Sequence, residues 1–283
     1  VRERIVTIGR RASLVAGLAV LAGCGVEHGV ASPQRVGSVD AAVVARAAAS
    51  TQEASSYQLS VEMDIDADGA DAVVRMEGRF DQVAKRGAMD MEVDAPTGGL
   101  LPQRVTMAVV VDQDAAYVRS DAFGLVDPDR PWIRVPLGTE GVISMGAARP
   151  DASFGILEEL GGEVDDLGRE EVRGVDTQHL RTQLRLADLL EQADPERRDR
   201  IEQQFGERGL DASALDGPST VEAWIDDDGR VRRMRLTMEL QQGGETATLV
   251  QTMEMFDFGE PVDIEVPSPD QVSDVDPSSI LGD

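Results

Sequence analysis

Between Tyr57 and Phe258 apolar residues recur at every second position over segment after segment, and this period limits what the chain can fold into more than any other feature. Tyr57, Leu59, Val61, Met63 and Ile65 alternate with Gln58, Ser60, Glu62 and Asp64, the pattern of a strand with one face in a core and the other in water. Past a turn near Asp68-Gly69 the alternation resumes in Val74, Met76, Gly78 and Phe80. Further strands are expected at about residues 88–93, 105–111, 116–119 and 132–135, then at 163–168, 176–184, 221–226, 231–240 and 246–258. Asp227-Asp228-Gly229 and Gly243-Gly244 supply hairpin turns between the last of these.

Helical patterning is confined to three places. An alanine-rich stretch from Ser38 to about Glu53 puts Val39, Val43 and Ala47 on one face, with Ser38 or Asp40 as cap. A second begins at Asp151 after Pro150, carries Phe154, Leu157 and Leu160 on one stripe and stops at Gly161-Gly162. A third starts near Leu186, is interrupted at Asp194-Pro195 and runs to Phe205-Gly206. Sheet first, helices in the middle and sheet last describe an α+β domain over residues 38–267, and residues 268–283, rich in Pro, Ser and Asp, read as a disordered tail.

The N-terminus is of another kind. Arg2, Arg4, Arg10 and Arg11 precede an apolar run that closes on Leu21-Ala22-Gly23-Cys24, the layout of a lipoprotein signal peptide over residues 1–23. A twelve-residue helix rises roughly 18 Å, short of the ~30 Å hydrocarbon core, so cleavage is the expected fate. Cys24, the only cysteine, would then carry a diacylglyceryl group, and two acyl chains suffice for stable anchoring to the membrane. Residues 24–37, with Gly, Ser and Pro and no apolar period, read as a flexible tether. Val1 in place of methionine reads as a translated alternative start codon. The implied location is the extracytoplasmic face of the cell membrane, with no internal disulfide.

Charge and motifs exclude more than they assign. The net charge is −26, and the leader's four arginines and one glutamate contribute +3, leaving about −29 on the rest. Such a body does not bind nucleic acid, and anionic headgroups repel it. Of two histidines, His28 lies in the tether and His179 in a strand without a nucleophile elbow to serve. Asp64-Ile65-Asp66-Ala67-Asp68-Gly69 opens like a calcium loop, but position twelve is Arg75, which cannot supply the bidentate carboxylate. The expectation is a non-enzymatic protein with no cofactor and no metal.

Nine of the ten methionines, Met63, Met76, Met89, Met91, Met107, Met234, Met238, Met253 and Met255, fall in expected strands. β-Branched and aromatic residues fill a rigid sheet face better, and aromatics make up only 4% of the chain. A methionine-built face is pliable and polarisable, either ordinary core or the wall of an apolar cavity. Met76, Phe80, Met107, Met238 and Met253 are the candidate wall residues.

Three local patterns carry a resemblance. They are Gly174-Val175-Asp176-Thr177-Gln178-His179-Leu180, Trp224-Ile225-Asp226-Asp227-Asp228-Gly229, and Phe256-Asp257-Phe258-Gly259-Glu260-Pro261-Val262. In this order, behind a lipobox, the chain resembles the actinobacterial LppX/LprAFG lipoproteins. Members often place an aromatic residue after the histidine, where this chain has Leu180. The resemblance implies a LolA-like half-barrel: a strongly curved antiparallel sheet with helices across its concave face and an acylated lipid held in the apolar cavity between them. The functional expectation is therefore carriage or presentation of a hydrophobic lipid ligand. The alternative is an envelope lipoprotein that binds a protein partner or acts as a sensor.

Overall fold

The computed structural model describes residues 35–67, 71–94, 104–113, 115–121, 128–136, 163–185, 217–242 and 245–273, with Leu157, Asp188 and Arg198 as single positions. The signal peptide, Cys24 and most of the tether lie outside these residues. So do the helical stretches expected at 151–160 and 186–206, apart from those three single positions, each of which is helical.

The expected strands form, most of them longer than their apolar cores. In chain order they are β1 (Gly37–Asp40), then after α1 (Ala42–Gln52) β2 (Ser56–Ala67), β3 (Ala72–Asp81), β4 (Arg86–Asp94), β5 (Arg104–Asp112), β6 (Ala115–Ser120) and β7 (Trp132–Pro136). They continue as β8 (Glu163–Val172), β9 (Val175–Arg185), β10 (Pro218–Asp226), β11 (Val231–Gln242), β12 (Glu245–Phe256) and β13 (Val272–Ser273). All thirteen join one sheet in the order β1-β8-β9-β10-β11-β12-β2-β3-β4-β5-β6-β7-β13. Two antiparallel meanders, β2 to β7 and β8 to β12, are welded along the β12–β2 pair, where Met253 lies opposite Val61. Among the described residues every ladder is antiparallel except that of β13, which adds in parallel to β7.

This architecture overturns the expected half-barrel. The sheet is an open ladder, neither closed nor strongly curved, with β1 and β13 as its two edges, and α1 is the one complete α-helix among the described residues. Alternation along a strand sets which face is apolar; it does not set curvature, which needs bulges or glycine kinks. Among the described ladders the register shifts only at Trp224/Ile225 and at Asp166/Arg169, both in β8 to β10.

The order of elements explains α1. β1 pairs with β8 at one edge, whereas β2 lies six strands further in, so the connection must cross one face of the sheet, and α1 does so over β10 and β11. Ser38 and Asp40, the expected caps, both belong to β1 rather than to the helix; the N-cap position falls to Ala41, which makes no side-chain capping bond, while Asp40 Oδ1 accepts the Ala42 N–H at 2.8 Å. Val44, Ala47, Ala48 and Thr51 are buried. Small residues let the helix sit close on the sheet, and the contact is sealed by a hydrogen bond. Thr51 Oγ1 donates to Ala47 O at 2.6 Å and accepts the N–H of Val231, the first residue of β11, at 2.8 Å, beside the Trp224/Ile225 bulge.

The face under α1 is the main core. It joins Ala41, Val44 and Ala48 to Tyr57, Leu59, Val61, Leu157, Leu180, Val221, Met234, Met253 and Met255, all at most 5% exposed. Phe80 stacks on Tyr57 with centroids 5.1 Å apart. Its ring covers Gly78 and Gly87, where an added Cβ would lie 2.9 and 2.8 Å from ring carbons, so glycine at both positions makes room for the aromatic. Beyond β4 the same face continues as a second cluster of Val109, Ala116, Val118, Ile133 and Val135.

The opposite face is charged over the centre of the sheet. Arg75 pairs with Glu62 and Asp94, and Arg104 with Asp94 and Glu92. Asp64 and Asp66, the start of the calcium-like sequence, lie in β2. Over Ala88 and Val110 this face is covered by the chain after β12: Ile264 is 9% exposed, with Val262, Val266, Tyr117 and Trp132 around it. The chain continues past residue 267 as a 3-10 turn, Pro269–Gln271, and then β13.

Candidate ligand-binding face

All nine strand methionines lie on the face that carries α1, because paired residues share a face and each pairs with a residue of the core clusters or lies two positions from one. Their alignment is closer than alternation demands. Following partners from strand to strand, Leu180 lies opposite Ala223, Ala223 opposite Met234 and Met234 opposite Met253. The line continues through Val61, Met76, Met91 and Met107. These eight residues form one row across the sheet, about 34 Å long at ~4.8 Å per strand.

Burial divides the row. From Leu180 to Val61 it is sealed, each residue at most 5% exposed. From Met76 to Met107 it is half-buried, as are the flanking Met63, Ile65, Val74, Val93 and Val105. A partly open apolar patch therefore covers β2 to β5, about 14 Å across at the same strand spacing, close to the ~15 Å depth of one bilayer leaflet.

The candidate wall residues fall on both sides of this division. Phe80 and Met253 are filled core. Met76 and Met107 lie in the half-buried patch, and Met238 is half-buried beside it, opposite Leu249. Cys24 lies outside the described residues. Met91 and Met63 complete the patch and were not singled out by sequence reasoning; the signal for Met91 is its distance from the β3–β4 turn, equal to that of Met76.

A hollow under a helical lid was also expected. Where α1 lies on the sheet, the space bounded by Val44, Val164, Leu180, Val221 and Ala223 amounts to about 10 Å³. That is room for about one water, far below the ~300 Å³ where ligand pockets begin.

The three motif patterns meet on the opposite face, away from the methionines. His179 stacks on Trp224 with centroids 4.1 Å apart. Its Nε2 lies 3.1 Å from Glu222 Oε1 and its Nδ1 3.3 Å from Glu170 Oε2, which also accepts the Trp224 Nε1–H at 2.9 Å. Arg173, in the β8–β9 turn, sits 3.9 Å over the Phe256 ring and donates to Glu254, which Arg233 also engages while lying over Trp224. The hydrogen bond to His179 holds the Glu222 carboxyl below the usual carboxylate range. Burial alone would raise Glu254, and the hydrogen bonds from Arg173 and Arg233 outweigh it, so its carboxyl is lowered too. With both histidine nitrogens facing carboxylates and the indole N–H satisfied, this corner is a structural lock between β8, β9, β10 and β12. Among the described residues no three His, Cys, Asp or Glu side chains converge to hold a metal, and no helix is long and apolar enough to cross a membrane.

No protein-family model matches the chain, and no curated protein matches it. Among solved structures it is similar to LprF from Mycobacterium bovis, at 13% identity over 81% of this chain and 96% of that one, with a TM-score of 0.44. A DUF1329 family protein from Desulfovibrio piger matches at 10% identity over 79% and 93% of the two chains, TM-score 0.26. A porin-like protein from Bacteroides uniformis matches at 11% over 73% and 98%, TM-score 0.27. These are weak likenesses, and the fold described above rests on the ladder registers alone.

Proposed function

We propose that this chain is a non-enzymatic envelope lipoprotein, acylated at Cys24, which binds an acylated lipid or similar hydrophobic molecule and carries or presents it at the extracytoplasmic face of the membrane. The observation that carries this reading is the half-buried apolar patch of Met76, Met91 and Met107 with Met63, Val74 and Val105. Contiguous apolar patches open to solvent often mark binding sites, and methionine moulds to an irregular guest. Withdrawing a fourteen-carbon tail from water is worth ~11 kcal/mol at ~0.8 kcal/mol per methylene, of which ordering and immobilisation take back a large share.

The test is native mass spectrometry, with lipid extraction, of the full chain bearing Cys24→Ser, which cannot itself be acylated. A co-purifying acyl species is expected, and it should be lost in Met107→Asp and Met238→Asp chains that keep their circular dichroism spectrum. An empty wild-type chain, or uptake unchanged in both variants, overturns the assignment. A second reading, an envelope module that binds a protein through its surface, is favoured by the tight packing between α1 and β9–β10; an empty chain would select it.

A further inference from the structure

Three methionines stand apart from the other six. Met89, Met234, Met253 and Met255 are at most 5% exposed and fill the core. Met63 and Met238 are half-buried, but their cross-strand neighbours are Gln251 and Val74 for the one, Ser219 and Leu249 for the other. Among the described methionines only Met76, Met91 and Met107 are both half-buried and consecutive in a cross-strand row. Neighbours in such a row have Cα atoms about 4.5–5.5 Å apart and side chains on one face. Each thioether hangs on three rotatable bonds, so the two outer sulfurs can lean over Met91 and converge on one point.

Hydrophobicity does not explain this choice of residue. Valine, isoleucine and leucine would give an equally apolar patch, and the β-branched ones suit a strand better. Beyond its pliability, methionine adds a soft sulfur donor, and thioethers select soft cations such as Cu(I) over hard ones. The net charge of −26 draws cations toward the molecule. Among the described residues the one histidine, His179, is engaged by Glu170 and Glu222.

We infer that Met76, Met91 and Met107 form a thioether site for a soft monovalent cation, Cu(I) or its redox-inert surrogate Ag(I). The inference does not depend on the lipid reading, since the two use different properties of the same side chains.

The experiment titrates Ag(I) into the full chain bearing Cys24→Ser, following methionine methyl signals by NMR and heat by calorimetry. One equivalent is expected to bind, shifting the methyl signals of these three residues and leaving those of Met63 and Met238 in place. A chain with Met76→Leu, Met91→Leu and Met107→Leu should bind at least tenfold more weakly, and Met91→Leu alone, which removes the central donor with least disturbance, should also weaken binding severalfold. These substitutions conserve volume, so the circular dichroism spectrum should be unchanged in the same chains. Methyl shifts confined to other methionines, or affinity in the triple variant within twofold of wild type, would overturn the inference; loss of acyl uptake in wild type would bear only on the lipid reading.

Discussion

Thr51 shows how much one hydroxyl can hold. It sits 1% exposed at the end of α1 and satisfies the Val231 N–H beside the β10–β11 bulge. Thr51→Val keeps the shape and leaves a buried donor unpaired, so it should cost about 1–3 kcal/mol in urea denaturation, whereas Thr51→Ser should recover most of the loss. Phe80 makes the complementary case: Gly87→Ala places a methyl against its ring, and the wedged ring has Tyr57 on its other side, so overpacking of about 1–3 kcal/mol is expected. Charged residues add a pH dependence whose sign follows from Glu222 and Glu254. Both carboxyls are lowered in the folded chain, so the folded form binds fewer protons than the unfolded one. The stability they lend is present above the unfolded carboxylate value of about 4.3 and is lost as pH falls through their lower folded values. Unfolding free energy measured between pH 6 and 3 should therefore decline on acidification, and less steeply in a Glu222→Gln, Glu254→Gln chain; equal slopes would remove these two groups from the account.

At the scale of strands, alternation made nearly every element of the sheet legible. β2, β3, β4, β5 and β11 are written in their sequences as apolar residues two apart, and the structure lengthens them by a residue or two at their ends. Depth was not legible. Phe80 and Met76 have the same parity in β3, yet one is core and the other half-buried, because burial depends on what crosses above the strand rather than on the strand. β1 was hidden in the expected helix because Val39, apolar at the start of the alanine-rich run, fits a four-residue strand as well as a helical face. The motif patterns were legible as a set, and the structure gathers them on the face opposite the methionines. Arg169 and Arg173, which tie the first pattern to Asp227 of the second and to Phe256 of the third, show that they mark a folded corner. His179→Ala should therefore lower stability by roughly 1–3 kcal/mol through the unpaired Glu222 and the lost stack, while leaving acyl uptake in the surviving folded fraction unchanged.

For the whole molecule the open ladder raises the question of what protects its ends, since an exposed edge is a template for pairing with another chain. One edge is β1, four residues long, with Arg35 paired to Asp165 beside it. At the other end β7 stops at Pro136, and the two-residue edge strand β13 covers it at Trp132 and Ile133. β13 is held in place by the chain that leads to it. Ser56 Oγ donates to Glu260 O, Arg79 Nε donates to Asp263 O, and Ile264 is buried on Ala88 and Val110, so the segment after β12 runs as a strap across the charged face to the far edge. A strap of this kind lies beyond the reach of alternation, because its apolar residues, Val262, Ile264 and Val266, pair with no strand and read as a short run before a tail. Ending the chain at residue 267 should leave the strap but remove β13, freeing the backbone of Trp132 and Ile133 at the edge. The shortened chain is expected to unfold within about 1 kcal/mol of the full one, since among the described residues the cut removes a 3-10 turn and a two-residue ladder, yet to associate more strongly with rising concentration in sedimentation velocity. A shortened chain that sediments as the full one does at every concentration would show that Pro136 and the brevity of β7 guard the edge without β13.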